Sequence, residues 1–211
     1  MTDRLPQMLR ADARDNRERV LEVARTLFSE KGIDVTMREI ARRAEVGPAT
    51  LYRRFPTKQM LIDAAFADEL RLCREIVDDG CADPDPWRGF CSVIERISVL
   101  NGRNQGFVDA FGAANPELGS FAEHRGALLR KLADLAGRAK AAGLRRDFVI
   151  DDLVLVLMAG RGLSSAPPSG REAAARRFAA LAIDAFRDSP ANADLPRPAR
   201  LVAGVVRPTA V

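Results

Sequence analysis

Twenty-three residues, Thr36 to Lys58, reading TMREIARRAEVGPATLYRRFPTK, limit what this chain can be more than any other stretch. Thr36, followed three residues later by Glu39, has the spacing of a capping box, in which side chains satisfy the orphan N–H groups of a helix start. Ile40, Ala41 and Ala44 then fall on one face of that helix. Gly47 can cap a second short helix, and Pro48 suits its first turn, where a missing N–H costs nothing. Leu51 and Phe55, four apart, pin this helix to a small core, and Pro56 ends it. The pattern predicts two short helices joined by a tight turn.

The remainder of the chain is helical in pattern too. From Asp15 to Lys31 the apolar positions Val20, Val23, Ala24, Leu27 and Phe28 follow three-and-four spacing, with Gly32 placed for a left-handed C-cap. Thr57 can cap a fourth helix, which Met60, Leu61, Ala64, Ala65, Leu72 and Ile76 carry to about Asp79. Such a helix spans roughly 33 Å, enough to leave one unit and enter another. Gly80 to Pro86 reads as a break. Further helices are predicted at about 86–101, 105–113, 117–142, 150–163 and 171–187, punctuated by Asn101-Gly102, Asn115-Pro116, Gly143 and the stretch 166–170. No strand alternation and no internal repeat is found. The expected fold class is therefore all-α with about nine helices. Its expected organisation is a flexible basic arm at 1–13 carrying Arg4 and Arg10, a helix-turn-helix domain at 14–58 and a helical domain at 59–188. A disordered tail, with four prolines, is expected at 189–211.

Composition narrows the class. No apolar run reaches the roughly 18 residues a membrane span needs; the longest runs from Leu153 to Gly160. Asp3, Arg4 and Pro6 with no apolar stretch do not read as a secretory signal. Cys73, Cys81 and Cys91 suit neither a disulfide framework nor a zinc site, so reduced thiols and a cytoplasmic location are expected. One histidine, no metal set, no Ser-His-Asp arrangement and no glycine-rich phosphate loop argue against an enzyme, and no cofactor is expected. The formal charge is only +4, but residues 1–58 hold 13 Lys/Arg against 9 Asp/Glu, while residues 59–211 hold 20 of each. All the excess positive charge sits where the two short helices lie.

A helix that enters the major groove needs small or polar side chains in its first turns. Pro48, Ala49 and Thr50 meet that need, and a threonine methyl can approach a thymine methyl. Arg53 can take a bidentate grip on guanine O6 and N7, while Tyr52 and Arg54 would meet the backbone. Thr36 and Thr57 each open a helix whose free N–H groups can hold a phosphate, Lys58 adds charge, and Arg38 can reach a base or phosphate. Gly47 completes the set. The plain alternative treats each of these as packing or a solvated face; it accounts for every part singly but not for all of them in this order.

On these residues the segment 15–62 resembles the N-terminal unit of TetR-family transcriptional regulators. The shared pattern is Thr36, Glu39, Ile40 and Ala41, then Thr50, Leu51, Tyr52, Phe55 and Lys58. The resemblance implies that Thr50, Tyr52 and Lys58 touch operator DNA, and that Pro48, Ala49 and Arg53 vary with the sequence read. Three departures stand out: Glu45 lies where the family often has glycine, Gly47 where a serine cap is common, and Pro48 replaces a frequent lysine.

The resemblance also implies a homodimer, a ligand-binding C-terminal domain and a repressor released from a palindromic operator by a small-molecule effector. Leu153, Leu157 and Gly160 of one predicted helix, with Phe178, Leu181, Ala182 and Ala185 of the last, supply candidate dimer-interface residues. Burial within one chain is the competing account. Trp87, Phe90, Arg103, Phe107, Phe111, Phe121 and Met158 are candidates for an effector pocket, with Asn104, Gln105 or His124 as further polar contacts. Two other readings compete: an all-α small-molecule carrier or enzyme without DNA binding, and a DNA-coating protein tolerant of sequence, which the modest charge disfavours.

Overall fold

The computed structural model describes residues 4–103, 107–108, 119–160, 162–163, 166–198 and 201, with nine α-helices and no strand longer than an isolated bridge among them. The all-α expectation holds. The chain divides into two compact units, Met1–Asp68 with Gly106–Phe121, and Glu69–Gln105 with Ala122–Val211.

In the first unit, α1 (Arg4–Lys31), α2 (Met37–Arg43), α3 (Pro48–Arg54) and α4 (Lys58–Ala65) surround a core of Val20, Leu21, Ala24, Phe28, Ile40, Leu51, Phe55 and Leu61. Gly32 ends α1 at φ 77°, as its place after Lys31 predicts. The stretch expected as a flexible arm is instead helical from Arg4. Its Leu, Gln, Met, Arg and Ala content favours helix, and Pro6 lies in the first turn, where proline is tolerated.

The single long fourth helix is two helices. Phe66 closes α4 with φ −115° and ψ 18°, and α5 (Ala67–Ala82) starts anew. The cause is packing: the Phe66 ring is fully buried, 6.0 Å from that of Phe28 and 5.9 Å from that of Phe107. Arg25 Nε donates to the Ala65 carbonyl at 2.7 Å, holding the end of α4 against α1. The boundary expected after residue 58 therefore lies at Asp68, because α4 buries Leu61, Ile62 and Ala65 in the first unit's core. Of the helix expected at 105–113, only Phe107 and Val108 are described, both helical.

The second unit contains most of α5 together with α6 (Pro86–Arg103), α7 (Gly119–Ala139, from Ala122 onward), α8 (Ile150–Gly160) and α9 (Arg171–Phe186). The helix α5 runs through Gly80, which had read as the start of a break. A β-carbon on Gly89 would lie 2.2 Å from the Gly80 carbonyl oxygen, so two glycines let α5 and α6 touch backbone to backbone. Phe90 is fully buried, its ring 5.3 Å from Phe148 and 6.5 Å from Phe186.

The tail is the other departure. From Ser189 to Pro198 it is a non-helical strap that hydrogen-bonds back onto the unit. Arg145, 8% exposed, donates to Asp147 through Nε at 2.6 Å and Nη2 at 2.9 Å, and also to the carbonyls of Ala185 and Ala193. Asp147 in turn accepts from the Leu195 N–H at 3.2 Å. A buried guanidinium needs several acceptors, and tail carbonyls supply some of them. That requirement orders a segment whose composition alone reads as disordered.

Candidate nucleic-acid interface

Two of the three helix starts at this surface are fixed by a threonine side chain. Thr36 Oγ1 accepts from the Glu39 N–H at 3.2 Å and opens α2; Thr57 Oγ1 accepts from the Met60 N–H at 3.1 Å and opens α4. Glu39 turns its carboxylate to Lys31 Nζ at 2.6 Å, and that hydrogen bond holds its pKa below the usual carboxylate value. The Gly47 carbonyl accepts from Thr50 and Leu51, starting α3 with Pro48 in its first turn.

The turn between α2 and α3 is built by backbone bonds from Ala44 to Ile40 and from Val46 to Ala41, with Glu45 in the left-handed region at φ 54°. Arg19, held by Asn16 Oδ1 at 2.6 Å, donates Nε to the Ala44 carbonyl at 3.1 Å. This brace on the end of α2 was missed from sequence, because nothing in the pattern of α1 marks Arg19 apart from other surface arginines.

Only Leu51 and the cap residue Phe55 anchor α3, at 2% and 4% exposure. The rest of the predicted reader faces outward: Thr36, Arg38, Gly47, Pro48, Ala49, Thr50, Tyr52, Arg53, Arg54 and Thr57 are exposed, and Lys58 is half-buried. Tyr52 is 45% exposed, against its alternative role as a core residue. All eleven positions belong to one unit, on α2, α3, α4 and their caps.

The described effector-pocket candidates fall in both units. Phe107 packs on Phe66 in the first unit, whereas Trp87 and Phe90 stack in the second with ring centroids 6.1 Å apart. Phe90 is fully buried, and Met158 is 48% exposed on α8. Phe111, Asn104 and Gln105, and the side chains of Arg103 and Phe121, lie outside the described residues; His124 is half-buried.

The dimer candidates split as well. Leu153 and Ala182 are buried in their own unit at 1% and 8% exposure, which is the competing account of them. Leu157, Gly160 and Phe178 are half-buried, and a β-carbon on Gly160 would lie 3.6 Å from the Phe178 ring. Leu181 and Ala185 are exposed, Leu181 at 61%. Sequence reasoning missed Leu155, 54% exposed. Its position one turn before Met158 was the available signal.

All three thiols are pushed above their ordinary pKa, chiefly by burial: Cys73 to about 12, Cys91 to about 11, and Cys81 in the same direction. Thiols so shifted are poor nucleophiles.

Residues 20–65 match the family model described as "Bacterial regulatory proteins, tetR family". An HTH-type transcriptional regulator of Staphylococcus aureus is 43% identical over 54 residues, which are 25% of this chain and 29% of that protein. The chain belongs to the TetR family. The match thus spans under a third of that curated relative's length. TetR-family structures also share the fold over about four-fifths of the chain. PfmR from Thermus thermophilus has a TM-score of 0.61 at 20% identity, covering 78% of this chain and 97% of its own. The ketosteroid transcriptional regulator KstR2 of Mycobacterium tuberculosis has the same score and identity, with 82% and 95% covered. Among the described residues no helix is long and apolar enough to cross a membrane.

Proposed function

We propose that the chain is a cytoplasmic DNA-binding transcriptional regulator. In this reading it acts as a repressor that binds a palindromic operator as a homodimer and is released by a small-molecule effector. One observation carries the reading: α3 is anchored by two apolar side chains and offers every other residue of its length, first turn included, to solvent. A seven-residue helix exposing proline, alanine, threonine, tyrosine and two arginines contributes little to a core. It suits the major groove, with Thr50 and Arg53 toward base edges and Tyr52, Arg54, Thr57 and Lys58 toward phosphates.

The homodimer is supported by the exposed apolar side chains of α8 and α9, namely Leu155, Met158 and Leu181, since monomers seldom leave such a patch open. Two-fold pairing would present two readers about one DNA turn apart, roughly 34–36 Å. Effector release requires a ligand that prefers the DNA-incompetent spacing; about 5.5 kcal/mol of preference moves a balance from 1:99 to 99:1. The effector is unassigned.

Footprinting on the DNA upstream of the coding region tests the reading. A protected inverted repeat is expected, with Arg53→Ala costing about 1–3 kcal/mol and relaxing preference at one base pair per half-site. Equal affinity of the native chain and Arg53→Ala for that site and for unrelated duplexes overturns the assignment of α3 as reader.

A further inference from the structure

The first turn of α3 buries no side chain of its own. Pro48, Ala49 and Thr50 are exposed, and the two buried anchors, Leu51 and Phe55, lie one helical turn apart on a single stripe. Such a stripe fixes where the helix lies but leaves it free to roll and tilt about that line. The remaining constraint comes from the turn that carries the chain from Ala44 to Gly47. Glu45 sits in that turn at φ 54°, a conformation that is costly for a residue with a β-carbon and that glycine adopts freely. Left to itself, the peptide between Ala44 and Glu45 would relax toward the ordinary region and take the start of α3 with it.

The tie that prevents this comes from α1. Ala44 closes α2, where helix carbonyls lack an intrahelical partner, and its carbonyl accepts from Arg19 Nε at 3.1 Å. Arg19 Nη2 also donates to Asn16 Oδ1 at 2.6 Å, one turn back on α1. Two bonds from one planar guanidinium leave it little freedom to swing. The start of α2 is tied to α1 as well, through Lys31 and Glu39 at 2.6 Å. With both ends of α2 held, α1 is the frame, and Arg19 is the part of it that reaches the strained turn. Arg25 makes a similar bond at the end of α4, to the Ala65 carbonyl at 2.7 Å. There the burial of Leu61, Ile62 and Ala65 backs it up, a support that the first turn of α3 lacks.

We propose that Arg19 is a positioning residue of the DNA reader: its bond to the Ala44 carbonyl holds Glu45 in the left-handed conformation that aims the first turn of α3. The proposal rests on the reading of α3 as the helix that meets base edges. A base contact needs donor and acceptor about 2.7–3.2 Å apart, so a helix start that drifts by about an ångström loses it. Phosphate contacts made by long side chains survive the same drift. Arg19 therefore acts on preference for the operator rather than on attraction to DNA in general.

The test is the affinity of the full chain for its footprinted operator and for an unrelated duplex, by fluorescence anisotropy well below the melting temperature. Arg19→Ala is expected to narrow the ratio of the two affinities by about fivefold or more, the low end of what one mismatched base pair costs. Binding to the unrelated duplex should stay within about twofold of native, with the salt slope unchanged. Added to Glu45→Gly, which needs no brace, the same substitution should narrow the ratio by less than about twofold. These results together support the brace. Equal losses in the two backgrounds overturn it, and so does a change under twofold in the native one. A shallower salt slope with both duplexes weakened alike also overturns it, because Arg19 would then touch phosphate itself. Arg25→Ala is the comparison for mere loosening: an unchanged ratio supports a specific role for Arg19, and an equal narrowing overturns it. Should Arg19→Ala lose helix by circular dichroism, Arg19→Met keeps the aliphatic stem without the guanidinium, and the same outcomes decide. If Arg53→Ala lowers the preference while Arg19→Ala leaves it intact, the brace falls and the reader stands. A native chain that prefers no duplex removes both.

Discussion

Glu45 occupies the left-handed region at φ 54°, the one non-glycine described residue to do so. A side chain there costs about 1–2 kcal/mol, and glycine gives back up to about 1 kcal/mol of that as lost chain entropy. Glu45→Gly is therefore expected to stabilise the chain by about 0.5–1 kcal/mol, read as a higher urea midpoint at unchanged m-value; a lower midpoint would show that Glu45 makes a compensating contact. Cys73 gives a second residue-level expectation. Its thiol is pushed up to about 12 by burial, while in the unfolded chain it ionises near 9. Below pH 9 both states are protonated and nothing is lost. Above it the unfolded chain releases a proton that the folded chain keeps, so stability falls as pH rises from 9 toward 12. At 1.36 kcal/mol per unit the ceiling is about 4 kcal/mol. Urea unfolding from pH 8 to 10.5 should therefore decline more steeply for the native chain than for Cys73→Ala; parallel curves would refute the shift.

Among the elements, the crossing of α5 and α6 is the least tolerant of change. Alanine in place of glycine inside a helix normally gains up to about 1 kcal/mol. At Gly89 the new β-carbon would sit 2.2 Å from the Gly80 carbonyl oxygen, which is backbone and cannot rotate away. Overpacking costs about 1–3 kcal/mol, so Gly89→Ala is expected to lower the melting temperature, and an increase would mean that the two helices separate freely. This crossing was not legible in the sequence, where Gly80 beside Asp83-Pro84-Asp85-Pro86 looks like punctuation. Phe66 was missed for a related reason: it continues an amphipathic pattern, and only its place between Phe28 and Phe107 shows why the helix stops there. By contrast α2, α3 and their caps were legible almost to the residue, because capping threonines, a first-turn proline and two apolar anchors act locally. The strap was hidden, since its order depends on a buried arginine some fifty residues away in sequence.

For the molecule as a whole, the charge distribution sets how DNA binding should respond to salt. The excess of Lys/Arg lies within the first 58 residues, and the remainder is balanced. Binding through phosphates releases counterions, and log K falls with log salt at about 0.9 per phosphate neutralised. If two copies bind one operator, each with the same set of basic side chains, every phosphate contact is counted twice. Lys58→Ala, which removes one cation beside the N-terminus of α4 from each copy, should lower the slope by about 2 on a full operator but by about 1 on a single half-site. Base preference should stay unchanged, because a phosphate contact carries no sequence information. Fluorescence anisotropy between 50 and 200 mM salt on the two duplexes measures both slopes. Equal decrements on the two would argue against paired readers, whereas no decrement on either would remove Lys58 from the interface and leave its charge to the surrounding solvent.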